Sequence, residues 1–228
     1  MPENSMNFKE TTILIIAETL LSLILFAIVI AILVFIIRKP MRKYKFMDLA
    51  IFDRLQSYVS HGKNRIMLFI TFLGKHQFLI PANLLLIFYF LFATHQNWFS
   101  IRVVTIALSS LLLMFLLKYL FQRKRPLSPL LKAVKGLSFP SGHAIMAVTF
   151  YGLLIYILGN TVQMDWLKYI LIVFLLLLIV LIGYSRVYLR VHYASDVLAG
   201  FIIGLLWLWI SLSVLNNLEQ YAKDNFVQ

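Results

Sequence analysis

His192 and Asp196 stand four residues apart. On a helix that spacing places them on one face, where the carboxylate can hold one imidazole nitrogen and leave the other free to attack. Lys118, Arg125 and Arg186 add three cations, two of them guanidinium forks that match phosphate oxygens. The run Pro140-Ser141-Gly142-His143 reads as a helix start, since proline suits a first turn and Gly142 lets the backbone come close. The amides of Ser141, Gly142 and His143 would then face outward from a helix N-terminus, a ready anion site. Together these residues offer a nucleophile, its orienting acid and a cradle for an anionic, phosphate-like ligand.

The elements that must hold them are membrane spans. Of 228 residues, 61% are hydrophobic and 13% charged, where a soluble domain carries about 25% charged residues. Apolar runs near the ~20 residues needed to cross a bilayer recur along the chain. The first runs from Ile13 to Ile37, interrupted by Glu18, Thr19 and Ser22; Glu18, an acid inside a span, is a functional candidate by position. Others fall near 77–94, with Pro81 kinking or starting it, and near 100–121, 140–159, 166–188 and 193–215. Between the first two, Met47, Ile51, Leu55 and Val59 recur at helical spacing beside Phe52 and Tyr58, with Asp48, Arg54 and Gln56 elsewhere. That pattern predicts an interfacial amphipathic helix, lying on the membrane or packed on the protein's own rim. Residues 66–73 are apolar but too short to span. Gly200 and Gly204 form a small-xxx-small pair suited to close helix packing.

The expected fold class is therefore all-α: a polytopic six-transmembrane-helix bundle, one membrane-embedded domain over 1–228 with its motif core at about 118–196. Spans alternate direction, so the end of the third (Lys118, Arg125), the start of the fourth (140–143), the end of the fifth (Ser185, Arg186) and the start of the sixth (His192, Asp196) share one membrane face. The formal charge of +12 points to anionic partners, above all anionic lipid headgroups; nucleic acid is not expected, and nothing calls for an obligate protein partner. There is no cysteine, which removes disulfides, thiolate nucleophiles and zinc-thiolate sites. Of nine acids only Asp196 falls among these residues, so no metal site is expected. His61, His76 and His95 have no partnered neighbour in sequence and read as surface or interfacial residues.

Lys118, six residues and Arg125-Pro126, then Pro140-Ser141-Gly142-His143, then Ser185-Arg186, five residues, His192, three residues and Asp196 resemble, complete and in order, the three signatures of the type 2 phosphatidic acid phosphatase superfamily. That group includes bacterial lipid phosphate phosphatases and undecaprenyl pyrophosphate phosphatases. The resemblance implies His192 as nucleophile, forming a phosphohistidine, and Asp196 as the residue that orients it. His143 would protonate the leaving oxygen and then activate water. Lys118, Arg125, Ser141, Gly142 and Arg186 would hold the phosphate, with Ser185 part of the motif, and no cofactor would be needed. The implied substrate is a phosphate or pyrophosphate on a lipid: undecaprenyl pyrophosphate, phosphatidylglycerophosphate or phosphatidic acid. A lipid phosphotransferase using the same phosphohistidine and a non-enzymatic anionic-lipid transporter are the alternatives. The superfamily also resembles soluble vanadium haloperoxidases, a use that six spans disfavour.

The resemblance implies a cell-membrane protein with its site on the extracytoplasmic face. The charges oppose that orientation, because 17 of 21 Lys and Arg fall on the motif side and the positive-inside rule would put them in the cytoplasm. The expectation follows the family, since cations that bind substrate or headgroups obey their ligand as well. The extra cations Arg123, Lys124, Lys132 and Lys135 fit either a more highly charged head or a loop anchored to anionic lipid.

Overall fold

The computed structural model describes residues 42–126, 130 and 136–226, with isolated helical positions at 20, 24, 27, 28 and 31. Most of the expected first span, Glu18 included, thus falls outside the described residues, as do Lys132 and Lys135. Among the described residues the elements are α1 (Arg42–Gln56), α2 (His61–Leu73), α3 (His76–Phe88) continued by a π-helical turn (Tyr89–Ala93), α4 (Asn97–Phe121), α5 (Gly142–Thr161), α6 (Asp165–Tyr188) and α7 (Ala194–Phe226). Five of these are long and apolar enough to cross a membrane: α3 with its π turn, and α4 to α7. The protein is an all-helical, multi-pass membrane protein. Residues 41–208 form one compact unit, and every residue of the site below belongs to it.

The four spans expected near 100–121, 140–159, 166–188 and 193–215 correspond to α4 to α7, and the one near 77–94 to α3 with its π turn. Pro81 lies inside α3 rather than at its start. The last helix outruns its expected end, reaching Phe226 where 215 was expected. No proline or glycine stops it after Leu215, and an i,i+4 ion pair, Lys223 Nζ to Glu219 Oε1 at 2.6 Å, joins its final turns.

Within the larger unit α5 is the central helix, packed on α4 and α6. It is apolar nearly all round, the pattern of a helix buried among others, and Ala144, Ile145, Ala147 and Leu153 are almost inaccessible. Against it lies the start of α7, brought close by two glycines. A Cβ on Gly200 would lie 2.8 Å from Ala144 Cβ and 2.9 Å from the Ser141 carbonyl oxygen, and one on Gly204 would lie 3.0 Å from Val148 Cβ. The small-xxx-small pair is thus the seam that sets the first turn of α5 against α7.

The amphipathic helix forms as α1, but its inward stripe is offset by one residue from the apolar repeat. Asp48 and Phe52 are buried while Met47 and Ile51 are exposed. Phe52 joins Ala144, Val187 and Val197 in one cluster, with Leu55 packed on it, so α1 packs on the protein's own rim. Next, α2 starts at Ser60, whose hydroxyl accepts the Lys63 amide. It lies along α6, and the Tyr188 hydroxyl donates to Asn64 Oδ1 at 3.0 Å.

The Gly200 seam yields a stability prediction. Gly200→Ala forces α5 and α7 apart and should cost about 1–3 kcal/mol, read as a lower unfolding temperature in detergent. Gly159→Ala, where nothing lies within 4 Å of the added carbon, should leave that temperature unchanged or slightly raised.

Candidate active site

The site is built where α4 and α6 end and α5 and α7 begin. Helix α4 closes with Gln122 in the left-handed region (φ 47°), its amide returning to the Lys118 carbonyl. Upstream in that last turn, Lys118 Nζ donates to the carbonyls of Leu137 and Pro140 at 2.9 and 3.1 Å. That lysine therefore anchors the strand of chain leading into α5. The Ser141 amide then donates to the Asp196 carbonyl at 3.1 Å, tying α5 to α7. From the other side the Arg186 carbonyl receives the amides of Val191 and His192 at 3.2 and 3.3 Å, which fixes the backbone of the histidine. Arg125 closes the ring, its Nη1 donating to the Val191 carbonyl at 2.9 Å and its Nε to the Gly136 carbonyl at 3.2 Å.

His192 lies between charges of opposite sign. Its Nδ1 is 3.6 Å from Asp196 Oδ2 and its Nε2 is 3.4 Å from Arg125 Nη1. A guanidinium can only donate, so it leaves Nε2 the unprotonated nitrogen and puts the ring proton on Nδ1, toward the acid. The 3.6 Å separation exceeds a formed hydrogen bond. Asp196 itself is fully buried and already held: Oδ1 accepts from Arg123 Nη1 at 2.6 Å, Oδ2 from the Tyr193 amide at 2.9 Å, and Oδ2 also from the Ser138 hydroxyl.

His143 has the cations Arg186, Lys75 and Arg125, and the His192 imidazole, as neighbours. Its ring lies against α2's end, where a Cβ on Gly74 would come 3.3 Å from His143 Cδ2. Arg186 is buried and donates from Nη1 to the Thr71 hydroxyl at 2.6 Å. Four buried polar atoms of these residues have no hydrogen-bond partner: Ser141 Oγ, His143 Nε2, Arg186 Nε and His192 Nδ1. An unmade buried hydrogen bond costs about 1–3 kcal/mol, and such atoms among clustered cations suit an oxyanion ligand. Gly142 sits against Met114 and Lys118, where any side chain would intrude.

All eight residues singled out by type and spacing, Lys118, Arg125, Ser141, Gly142, His143, Arg186, His192 and Asp196, are thus brought to this end of the bundle. Ser185 differs in that its hydroxyl returns to the Ile182 carbonyl at 2.6 Å, which occupies it inside its own helix. Five residues at the site carry no motif signal: Asp48, Thr71, Gly74, Arg123 and Ser138. Asp48 corrects the expectation that Asp196 alone of the acids belongs here, because it reaches Arg123 Nη2 at 2.9 Å. Arg123 is correspondingly committed to Asp48 and Asp196, whereas Lys124 is exposed. His76 and His95 are exposed, as expected. Among the described residues no three His, Asp or Glu side chains gather as a metal ion would require.

The sequence profile of the PAP2 superfamily matches residues 99–220, which takes in every one of the eight. The chain belongs to the PAP2 superfamily. Phosphatidylglycerophosphatase B of Bacillus subtilis (strain 168) is 34% identical over 144 residues, which is 63% of this chain and 70% of that protein. The crystal structure of a transmembrane PAP2-type phosphatidylglycerolphosphate phosphatase from Bacillus subtilis superposes with a TM-score of 0.71 at 26% identity, covering 92% of this chain and 99% of that one. Aquifex aeolicus LpxE gives a TM-score of 0.53 at 29% identity, covering 72% and 93%.

In this PAP2 site burial pushes His192 down to about 4, with Arg186 and Arg125 adding to the effect and Asp196 opposing it. The imidazole is therefore neutral at pH 7. Its folded value lies below the ordinary 6.5, so between those values the unfolded chain binds the proton more readily, and stability falls as pH drops through that window. The unfolding temperature in detergent should decline from pH 7 to pH 4, and His192→Gln should flatten part of that decline.

Proposed function

We propose that this protein hydrolyses a lipid phosphate through a phosphohistidine formed on His192, with phosphatidylglycerophosphate the first substrate to test and undecaprenyl pyrophosphate and phosphatidic acid next. The coarser statement, a membrane-bound lipid phosphate phosphatase and so a hydrolase, rests on the PAP2 family and on both solved neighbours. Phosphatidylglycerophosphate comes first because the similar Bacillus subtilis proteins are named for it. The observation that carries the mechanism is the His192 ring, with Nδ1 toward Asp196 and Nε2 toward Arg125.

In this reading the headgroup enters among Lys118, Arg125, Arg186 and the Ser141 and Gly142 amides, which stabilise charge on the phosphoryl oxygens. His192 Nε2 attacks phosphorus as the bond to the leaving oxygen breaks, and His143 gives that oxygen its proton. Asp196, still ionised, stabilises the positive charge that the imidazole gains as the Nε2–phosphorus bond forms. Water then attacks the phosphohistidine, His143 accepts its proton, and phosphate and free His192 result. Each proton given by His143 in the first step returns to it in the second.

The test is phosphate release by the detergent-purified protein from these lipids, in chelator and in labelled water. His192→Ala should lose at least about a thousandfold in rate while remaining monodisperse, with one solvent oxygen in each phosphate released by the wild type. Substantial steady-state turnover in the folded variant overturns the nucleophile assignment. Phosphate passed to an acceptor lipid replaces hydrolysis by transfer, and free phosphate that lacks solvent oxygen overturns attack at phosphorus.

We also place the site on the extracytoplasmic face of the cell membrane. Supporting this, Lys118, Arg123, Arg125, Arg186 and Arg190 make internal contacts, so part of the charge excess on that side is engaged by the fold. The cysteine-free chain permits a clean check. An impermeant maleimide on intact cells should label Gly62→Cys, near the site, and spare Gln163→Cys at the other end of the spans. The reverse pattern puts the site in the cytoplasm.

A further inference from the structure

Asp196 is buried at the first turn of α7 together with a second acid, Asp48, that no motif predicts. Two carboxylates side by side in a low-dielectric setting need a shared counter-charge and well-made hydrogen bonds. Arg123 supplies them. Its Nη1 donates to Asp196 Oδ1 at 2.6 Å and to the Ser195 hydroxyl at 2.8 Å, while Nη2 donates to Asp48 Oδ2 at 2.9 Å. The guanidinium also lies 4.2 Å from the centroid of the Tyr193 ring, a cation–π stack that fixes its plane.

Asp48 does more than neutralise. Its Oδ1 accepts the Ser195 amide at 3.1 Å and its Oδ2 the Ser195 hydroxyl at 2.7 Å. It is thereby a cap for α7 delivered from another helix, placed where orphan amides and the helix dipole favour an anion. Asp196 supplies the other half of that cap by accepting the Tyr193 amide three residues back, as in a capping box. Behind it, the Arg123 carbonyl accepts the Ser138 amide at 2.7 Å, and the Ser138 hydroxyl bonds to Asp196 Oδ2. Every constraint on the Asp196 carboxylate except the one to His192 thus runs through α7's own first turn or through Arg123 and its neighbours.

We infer that Arg123, aligned by Asp48 on α1, is a positioning residue for the reaction: it holds the Asp196 carboxylate in the plane that presents Oδ2 to His192 Nδ1. The inference rests on the reading of His192 as nucleophile. It makes α1 part of the active centre rather than an appendage on the bundle. A lysine at 123 has one nitrogen and cannot fork to both carboxylates, so the arginine is specific.

Three variants test this: Arg123→Gln, Arg123→Lys and Asp48→Asn, each compared with wild type and His192→Ala. For hydrolysis of dispersed phosphatidic acid, Arg123→Gln should lower kcat about 10–100-fold, the range for partners that orient a first contact. KM should stay within about threefold, because the phosphate cradle is untouched. Arg123→Lys should fall between the two, and Asp48→Asn should lower kcat less than Arg123→Gln. The second readout is the titration of His192 by nitrogen-15 imidazole NMR in micelles, which does not depend on turnover. His192 is faced by Asp196 from α7, Arg186 from α6, His143 from α5 and Arg125 from the segment after α4. Removing the Arg123 charge leaves Asp196 unbalanced, so the midpoint should rise in Arg123→Gln; removing the Asp48 charge should lower it.

An unchanged kcat and an unchanged midpoint in folded Arg123→Gln overturn the inference. A loss of kcat that merely tracks a loss of thermal stability, with the midpoint unmoved, also overturns it and makes the cluster structural. Should Arg123→Gln fail to fold, Arg123→Lys and Asp48→Asn decide by the same two measurements. Absence of phosphate release from the wild type would remove the phosphatase reading, while the midpoint shifts would still decide whether Arg123 and Asp48 set the electrostatics of the His192–Asp196 pair.

Discussion

A fully buried carboxylate at the start of a membrane helix is the constraint from which the rest of this arrangement follows. Asp196 has no water to solvate it, so the fold must provide positive charge and donors from several directions. They come from the segment after α4, through Arg123, from the approach to α5, through Ser138, and from the first turn of α7 itself. Three parts of the chain must meet for one acid to remain ionised. Their meeting also brings Lys118, Ser141, His143, Arg186 and His192 into one place.

Close helix approach makes that convergence possible. At Gly200 the α7 backbone touches the first turn of α5, and Gly74 at the end of α2 lets the His143 ring come near. A side chain at 200 would push against the Ser141 carbonyl itself, and one at 74 against the Ile182 and His143 side chains. Phe52 on α1, packed with Ala144, Val187 and Val197, does the matching work from outside. It locks α1 against three spans so that Asp48, one turn earlier, reaches α7.

The spans from α3 to α7, and the meeting of the eight motif residues at one end of them, were legible because long apolar runs and alternating direction leave little choice. The supporting contacts were not. Arg123 and Asp48 are 75 residues apart, and Thr71 and Arg186 are 115 apart, and no periodicity links such pairs. Arg123 and Lys124 are adjacent cations of equal claim in the sequence. The left-handed residue Gln122 turns the chain so that the first points in and the second out. Asp48 was masked by the stripe beside it. The apolar repeat Met47, Ile51, Leu55 suggested one inward face, yet burial of a charge-paired aspartate and of Phe52 rotated the helix by one position. The length of α7 was missed because an amphiphilic tail carries no signal of where a helix leaves the bilayer, and only the Glu219–Lys223 pair indicates that it continues.

The unpartnered atoms of Ser141, His143 and Arg186 bear on how the resting protein behaves. Unmade hydrogen bonds among clustered cations make a bound oxyanion stabilising, by an amount that rises with the logarithm of its concentration once that exceeds Kd. On the proposed reading, these charges meet a phosphate alike whether it is still attached to a lipid or already set free. Discrimination between the two must come from the acyl chains in the bilayer, outside the cluster of charges. On the proposed phosphatase reading, free phosphate in the surrounding medium competes with the lipid for this centre.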